Sequence, residues 1–221
     1  MWDTRVRFAL DHFIVENYFL EMSHSYHLKE EKDTGKSDLI LEIANENLCI
    51  YDFDNKGKCQ FVRTDKKSGM QKSVDHMIFE KCRKGWKLHL IEMKSSVGYK
   101  TWLESIKPKV RTSYFTALAI ADFLGIRIQE AIAYTTYEND KFDDASNLTN
   151  PRTLVPLLGL AAWDANKDEW KKDRIILNVD GEFAIVHRRI QMKRNSDTGI
   201  LEGKLTIEEQ CTDEGLCEET K

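Results

Sequence analysis

The order of its segments predicts an α/β protein: a mixed β-sheet flanked by helices, with a C-terminal β-hairpin elaboration. Three observations predict it. Val74–Lys94 reads as two strands joined by a tight turn, the second carrying the apolar residues Leu88, Leu90, Ile91 and Met93. An amphipathic segment, Pro108–Leu124, then leads to another strand, Ile126–Thr136, which reaches the sheet through a helical crossover and so lies parallel to one neighbour. Arg174–Val179 and Phe183–Met192 flank Asp180-Gly181, a strong turn pair, and form a second hairpin.

From Thr4 to about Glu21 the apolar residues Val6, Leu10, Phe13, Ile14 and Tyr18 recur at the spacing of one helical face, with Asp3 or Thr4 as cap. His24 and His27 follow in a polar stretch and read as solvated. The loop Lys29–Ser37 ends in Gly-Lys-Ser, but a phosphate-binding loop needs a glycine five positions earlier, which is missing. Asp38–Ala44 is an apolar run open to either strand or helix. Leu48–Phe53 is a clearer strand, with the turn 54–58 and a partner at Gln60–Thr64.

In the central hairpin, Val74–Lys81 pairs with Trp86–Lys94. If Lys84-Gly85 is the loop, Asp75 lies opposite Lys94 and Met77 opposite Glu92. Opposed residues share a face, as do residues two apart on one strand. Asp75, Glu92 and Lys94 then converge on one patch. Charges are costly in so apolar a setting unless paired or metal-bound. Two carboxylates can hold Mg²⁺ (or Mn²⁺) through oxygen, and Lys94 can orient an attacking water. A Lys94–Asp75 salt bridge on a half-exposed hairpin is the other reading of the same residues.

In Pro108–Leu124, proline suits the first turn, Val110, Tyr114, Ala117, Leu118, Ala121 and Leu124 form the buried stripe, and Gly125 ends the helix. If Tyr99–Lys107 runs on into it, Lys100, Glu104, Lys107, Arg111 and Tyr114 form a row fit to hold a phosphodiester backbone, or an ordinary solvated face. A polar loop, 138–150, and a short helix within Pro151–Asp164 come next, with Trp163 and Trp170 about a charged link. The basic cluster His187-Arg188-Arg189 with Lys193-Arg194 is either a contact for nucleic acid or a partner, or a strand edge guarded by charge.

Composition bounds the rest. With 41% hydrophobic and 32% charged residues the 221-residue chain has the make-up of a globular protein. The net charge of −4 is concentrated in Thr206–Lys221, which is expected to be a disordered acidic tail; the remainder is near neutral and imposes no basic field. The five cysteines show no C-x-x-C pairing, which argues against zinc and for a reducing compartment. No leader and no membrane-length apolar run is visible, so the expected location is cytoplasmic.

Asp75 on a strand, then L-I-E-M-K-S-S closing an apolar strand, then an amphipathic helix and a further strand, together resemble the PD-(D/E)XK nuclease superfamily. The resemblance covers roughly Thr4–Thr136 and implies a restriction-endonuclease-like core at 1–136, an elaboration at 137–205 and the tail at 206–221. It departs from the pattern in having Ser73-Val74 where the name-giving proline would stand. It implies a Mg²⁺-dependent nuclease acting on DNA, less often RNA, with Asp75, Glu92 and the Met93 carbonyl as metal ligands and Lys94 beside the water. Glu16 on the first helix, with Glu21 in reserve, is the implied extra carboxylate. Arg111 and Tyr114 occupy a helix whose polar residues contact the backbone or site in many members. A homodimer accords with cutting both strands of a duplex. The alternative is a catalytically inactive nucleic-acid-binding or protein-interaction module of the same fold.

Overall fold

The computed structural model describes residues 4–12, 19–21, 23–30, 36–51, 53, 72–142, 165–178 and 182–207. In chain order they form α1 (Thr4–His12), β1 (Leu20–Glu21), β2 (Ser25–Glu30), β3 (Ser37–Ile43), β4 (Asn47–Ile50), β5 (His76–Cys82), β6 (Gly85–Glu92) and β7 (Ser96–Val97). A continuous helical run follows: α2 (Tyr99–Thr101), a π-turn (Trp102–Ile106) and α3 (Lys107–Leu124). Then come β8 (Ile128–Tyr137), β9 (Asn139–Asp140), a helix α4 (165–171), β10 (Arg174–Asn178), β11 (Glu182–Gln191), β12 (Lys193–Arg194) and β13 (Leu201–Ile207).

Among these residues a mixed seven-stranded sheet runs β1-β4-β5-β6-β8-β11-β10. β4, β5 and β6 are an antiparallel meander, and β8 lies parallel to β6, as the crossover through α3 requires. A second, four-stranded sheet runs β12-β13-β3-β2, and β7 pairs with β9. β5 and β6 are buried on both faces for most of their length, so His76, Glu80, His89 and Glu92 are buried along with their apolar neighbours. On one face Met77, Phe79, Leu88 and Leu90 pack under Val110, Ala117, Ala121 and Leu124 of α3. On the other, Ile78, Ile91 and Tyr134 pack against Leu28, Leu39 and Leu41 of the second sheet. No helix among the described residues is long and apolar enough to cross a membrane.

Several expectations change. The first helix is described only as far as His12, and Leu20–Glu21 is strand rather than helix, paired with Cys49 and Leu48. Asp38–Ala44 resolves as strand β3, with every second residue buried. Its partner β2 went unread because its buried Tyr26 and Leu28 alternate with His27 and Lys29. Gln60–Thr64 and the Pro151–Asp164 helix lie outside the described residues; among those described, β4 pairs with β5 and β1. The second hairpin forms as expected, but β11 hydrogen-bonds to β8 and so extends the core sheet. Thr206 and Ile207, assigned to the tail, still belong to β13, which lies parallel to β3.

Candidate metal and catalytic site

Cys82 pairs with Gly85, so the hairpin loop is Arg83-Lys84, not Lys84-Gly85. Gly85 carries φ 153°, which favours glycine, and a Cβ there would come within 2.6 Å of the Gln129 side chain. The register therefore differs by two residues from the expected one. A two-residue shift preserves which face each side chain takes. His76 pairs with Ile91, and one step further on Asp75 comes level with Glu92 rather than with Lys94.

Three bonds fix Asp75 at the mouth of the sheet. The preceding Val74 N–H donates to Ser113 Oγ of α3 (2.9 Å), the Asp75 carbonyl accepts from Phe53 N–H (2.8 Å), and Asp75 Oδ2 accepts from Met93 N–H (2.6 Å). On the next strand, Thr136 holds the Lys94 backbone by accepting from its N–H (3.0 Å) and donating to its carbonyl (3.3 Å). Lys94 turns its ammonium back onto Glu92 Oε1 and donates to the Met93 carbonyl at 3.0 Å.

A fourth charge completes the cluster. Lys109 Nζ lies 3.3 Å from Asp75 Oδ1 and 2.8 and 2.9 Å from the two oxygens of Glu92. It was missed in the sequence, though a signal existed. Lys109, Ser113, Ala117, Ala121 and Leu124 follow at i, i+4, i+4, i+4, i+3, one line down the helix. The structure buries Ser113, Ala117, Ala121 and Leu124 of that line and leaves Leu118, expected in the stripe, 37% exposed. Extending the line back one turn from Ser113 reaches Lys109.

The electrostatics follow from burial. Glu92 has no exposed surface; that desolvation, reinforced by the Asp75 charge, pushes its pKa up to about 7 against the pull of Lys94 and Lys109. Burial pushes Asp75 upward too, but the ammonium groups of Lys109 and Lys94 and the Met93 N–H outweigh it and hold it below the usual carboxylate range. Burial depresses Lys109, yet Glu92 and Asp75 more than compensate and its pKa is raised. One carboxylate sits near neutrality beside another held firmly ionised.

Beside Glu92 on β8 stands Thr135, whose hydroxyl bonds His187 Nε2 at 2.9 Å. His187, expected in a surface basic cluster, is fully buried between Trp102 and Trp170, and burial drives its pKa down to about 3. Arg189 pairs with Asp173 and lies over Trp170, while Arg194 pairs with Glu138, so two of the cluster's four cations are offset by carboxylates.

The expected phosphate-binding row is divided. The π-turn adds a residue to one turn and breaks the assumed phase. Lys100 is exposed, and Arg111 and Tyr114 are half-buried. Lys107 is engaged by Glu169 (2.9 Å) and Asn166 (3.3 Å) of α4, and the Tyr114 ring packs on Phe183 at 5.3 Å. Lys107 and Tyr114 therefore serve the packing of α3 against the C-terminal part of the chain. Glu16 lies outside the described residues, and the backbone of Glu21 is in β1.

As a cation site the donors are Asp75 Oδ1, the Glu92 carboxylate and the Met93 carbonyl. No group of three or more His, Cys, Asp or Glu gathers among the described residues. Two carboxylates and a carbonyl nonetheless suit a hard divalent ion that keeps part of its water shell. The Lys109 ammonium bridges both acids at that point. Comparison with family models, characterised proteins and solved structures gives no match for this chain.

Proposed function

We propose that this protein is a metal-dependent nuclease of the PD-(D/E)XK type, hydrolysing phosphodiester bonds of DNA or RNA. The observation that carries the reading is the meeting of Asp75, Glu92 and Lys94 at one end of an apolar sheet, with both acids against a single cationic position. The element order supports it: an antiparallel meander, a crossover helix and a parallel strand follow one another around the acids, as in the restriction-endonuclease-like core the sequence resembles.

A bound Mg²⁺ would neutralise the phosphate and acidify a water. The chain supplies the rest. The backbones of Asp75 and Glu92 are fixed on adjacent strands, so the two acids are brought together before substrate arrives. Lys94, with 24% of its side chain exposed, is the positive group that can reach a water at the mouth of the site and orient it in line with phosphorus.

A second reading has its own support. Lys109 already lies within ion-pair distance of both carboxylates, so two ammonium groups stand against two acids. On that reading the fold serves as a binding or interaction module without catalysis. Incubation with plasmid, linear and single-stranded DNA and with RNA, in Mg²⁺ or Mn²⁺, separates the two. The nuclease reading expects cleavage abolished by EDTA and reduced at least ~100-fold in Asp75→Ala, Glu92→Ala and Lys94→Ala. Cleavage that persists in EDTA or survives all three substitutions contradicts it.

A further inference from the structure

Lys109 occupies the place a bridging ion needs. Its ammonium is within 3.3 Å of Asp75 and within 2.9 Å of both oxygens of Glu92. Its backbone is fixed, because it follows Pro108 in the first turn of α3 and lies one turn before Ser113, which grips Val74. Only its four-carbon stem can move, and 16% of the side chain is exposed.

We propose that Lys109 is a tethered competitor for the divalent ion: it holds Asp75 and Glu92 together in the metal-free protein and is displaced when the ion enters. The inference uses the cation site of the nuclease reading but not its chemistry. Without Lys109 the two buried carboxylates would repel with only the Lys94 ammonium, which lies on Glu92, to offset them, and an unpaired buried charge is costly. The Lys109 ammonium removes that repulsion at the expense of ion affinity, since binding becomes an exchange of one cation for another. Lys109 is thus a positioning residue for the two acids.

Calorimetric titration of the full chain with MnCl₂ tests this in wild type, Lys109→Met and Asp75→Asn. Methionine keeps the length of the stem and removes the charge. Lys109→Met is expected to bind Mn²⁺ at least ~10-fold more tightly than wild type, with Asp75→Asn abolishing binding. Equal or weaker binding by Lys109→Met overturns the proposal, as does failure of both proteins to bind. If Lys109→Met does not fold, acetylation of Lys109 in wild type, read by peptide mass spectrometry, decides. Modification should be several-fold faster with Mn²⁺ than with EDTA, and an equal or slower rate overturns the exchange. Tighter binding without any cleavage by wild type would leave the exchange standing and remove the nuclease reading. Cleavage with unchanged affinity would do the reverse.

Discussion

A carboxylate with none of its surface in water, as Glu92 is, bears its charge at a cost. Its pKa rises from 4.5 to about 7, so the folded chain binds this proton more tightly than the unfolded one. The resulting stability is full below about pH 4.5 and is lost as pH rises through 7. Glu92→Gln mimics the protonated acid. In EDTA, urea denaturation should show this variant gaining on wild type between pH 5 and 8, by on the order of 3 kcal/mol; a constant difference would contradict the assignment. His187 works in the opposite direction. Its pKa falls from 6.5 to about 3, so its contribution is present above pH 6.5 and is lost as pH falls toward 3. Relative to wild type, His187→Gln should gain about 2 kcal/mol on going from pH 7.5 to pH 5. Opposite trends in the two variants would distinguish the groups even where they cancel in wild type.

At the scale of elements, the site depends on how α3 meets the β5–β6 hairpin. Ser113 is the tie, accepting from a buried Val74 N–H next to Asp75. Ser113→Ala leaves that donor without its acceptor and should cost about 1–3 kcal/mol in urea denaturation, with weaker metal binding as Asp75 loosens. Unchanged stability and affinity would show that the hairpin needs no tie to α3. The hairpin and its apolar second strand were legible because Asp75 and Glu92 keep their shared face under any even shift of register. The loop was not: Arg83, Lys84 and Gly85 allow two turn placements, and what selects between them is the close approach of Gln129 and the Arg127 carbonyl to Gly85, contacts from another strand. Lys109 was passed over for a related reason. A lysine at the start of a helix reads as solvated unless the acids it meets are known to lie beneath that turn.

For the whole molecule, the second sheet is what local pattern could not supply. Residues far apart in sequence form it: β13 lies beside β3 from Leu201↔Ser37 to Ile207↔Ile43. Short strands carrying charge on their outer face look like loops until their apolar sides find a cover. Between the two sheets lies a buried polar chain in which Asn45 donates to Glu80 (2.7 Å), Glu80 meets His89 (2.8 Å) and His89 meets Tyr134 (3.0 Å). Its polar groups satisfy one another, which ties β5, β6 and β8 together in the sheet that carries Glu92, with Asn45 reaching in from between β3 and β4. Glu80→Leu should therefore destabilise the protein by about 1–3 kcal/mol in urea denaturation, because it leaves the buried His89 Nε2 without its partner; no loss of stability would show that the chain adds nothing. Every functional statement rests on the two carboxylates at the mouth of the large sheet accepting one divalent ion. Anomalous diffraction from crystals soaked in MnCl₂ measures that directly. The account predicts a manganese peak between Asp75 Oδ1 and the Glu92 carboxylate, with the Lys109 ammonium moved aside. A density map with no peak there, and Lys109 still bridging both acids, would contradict it.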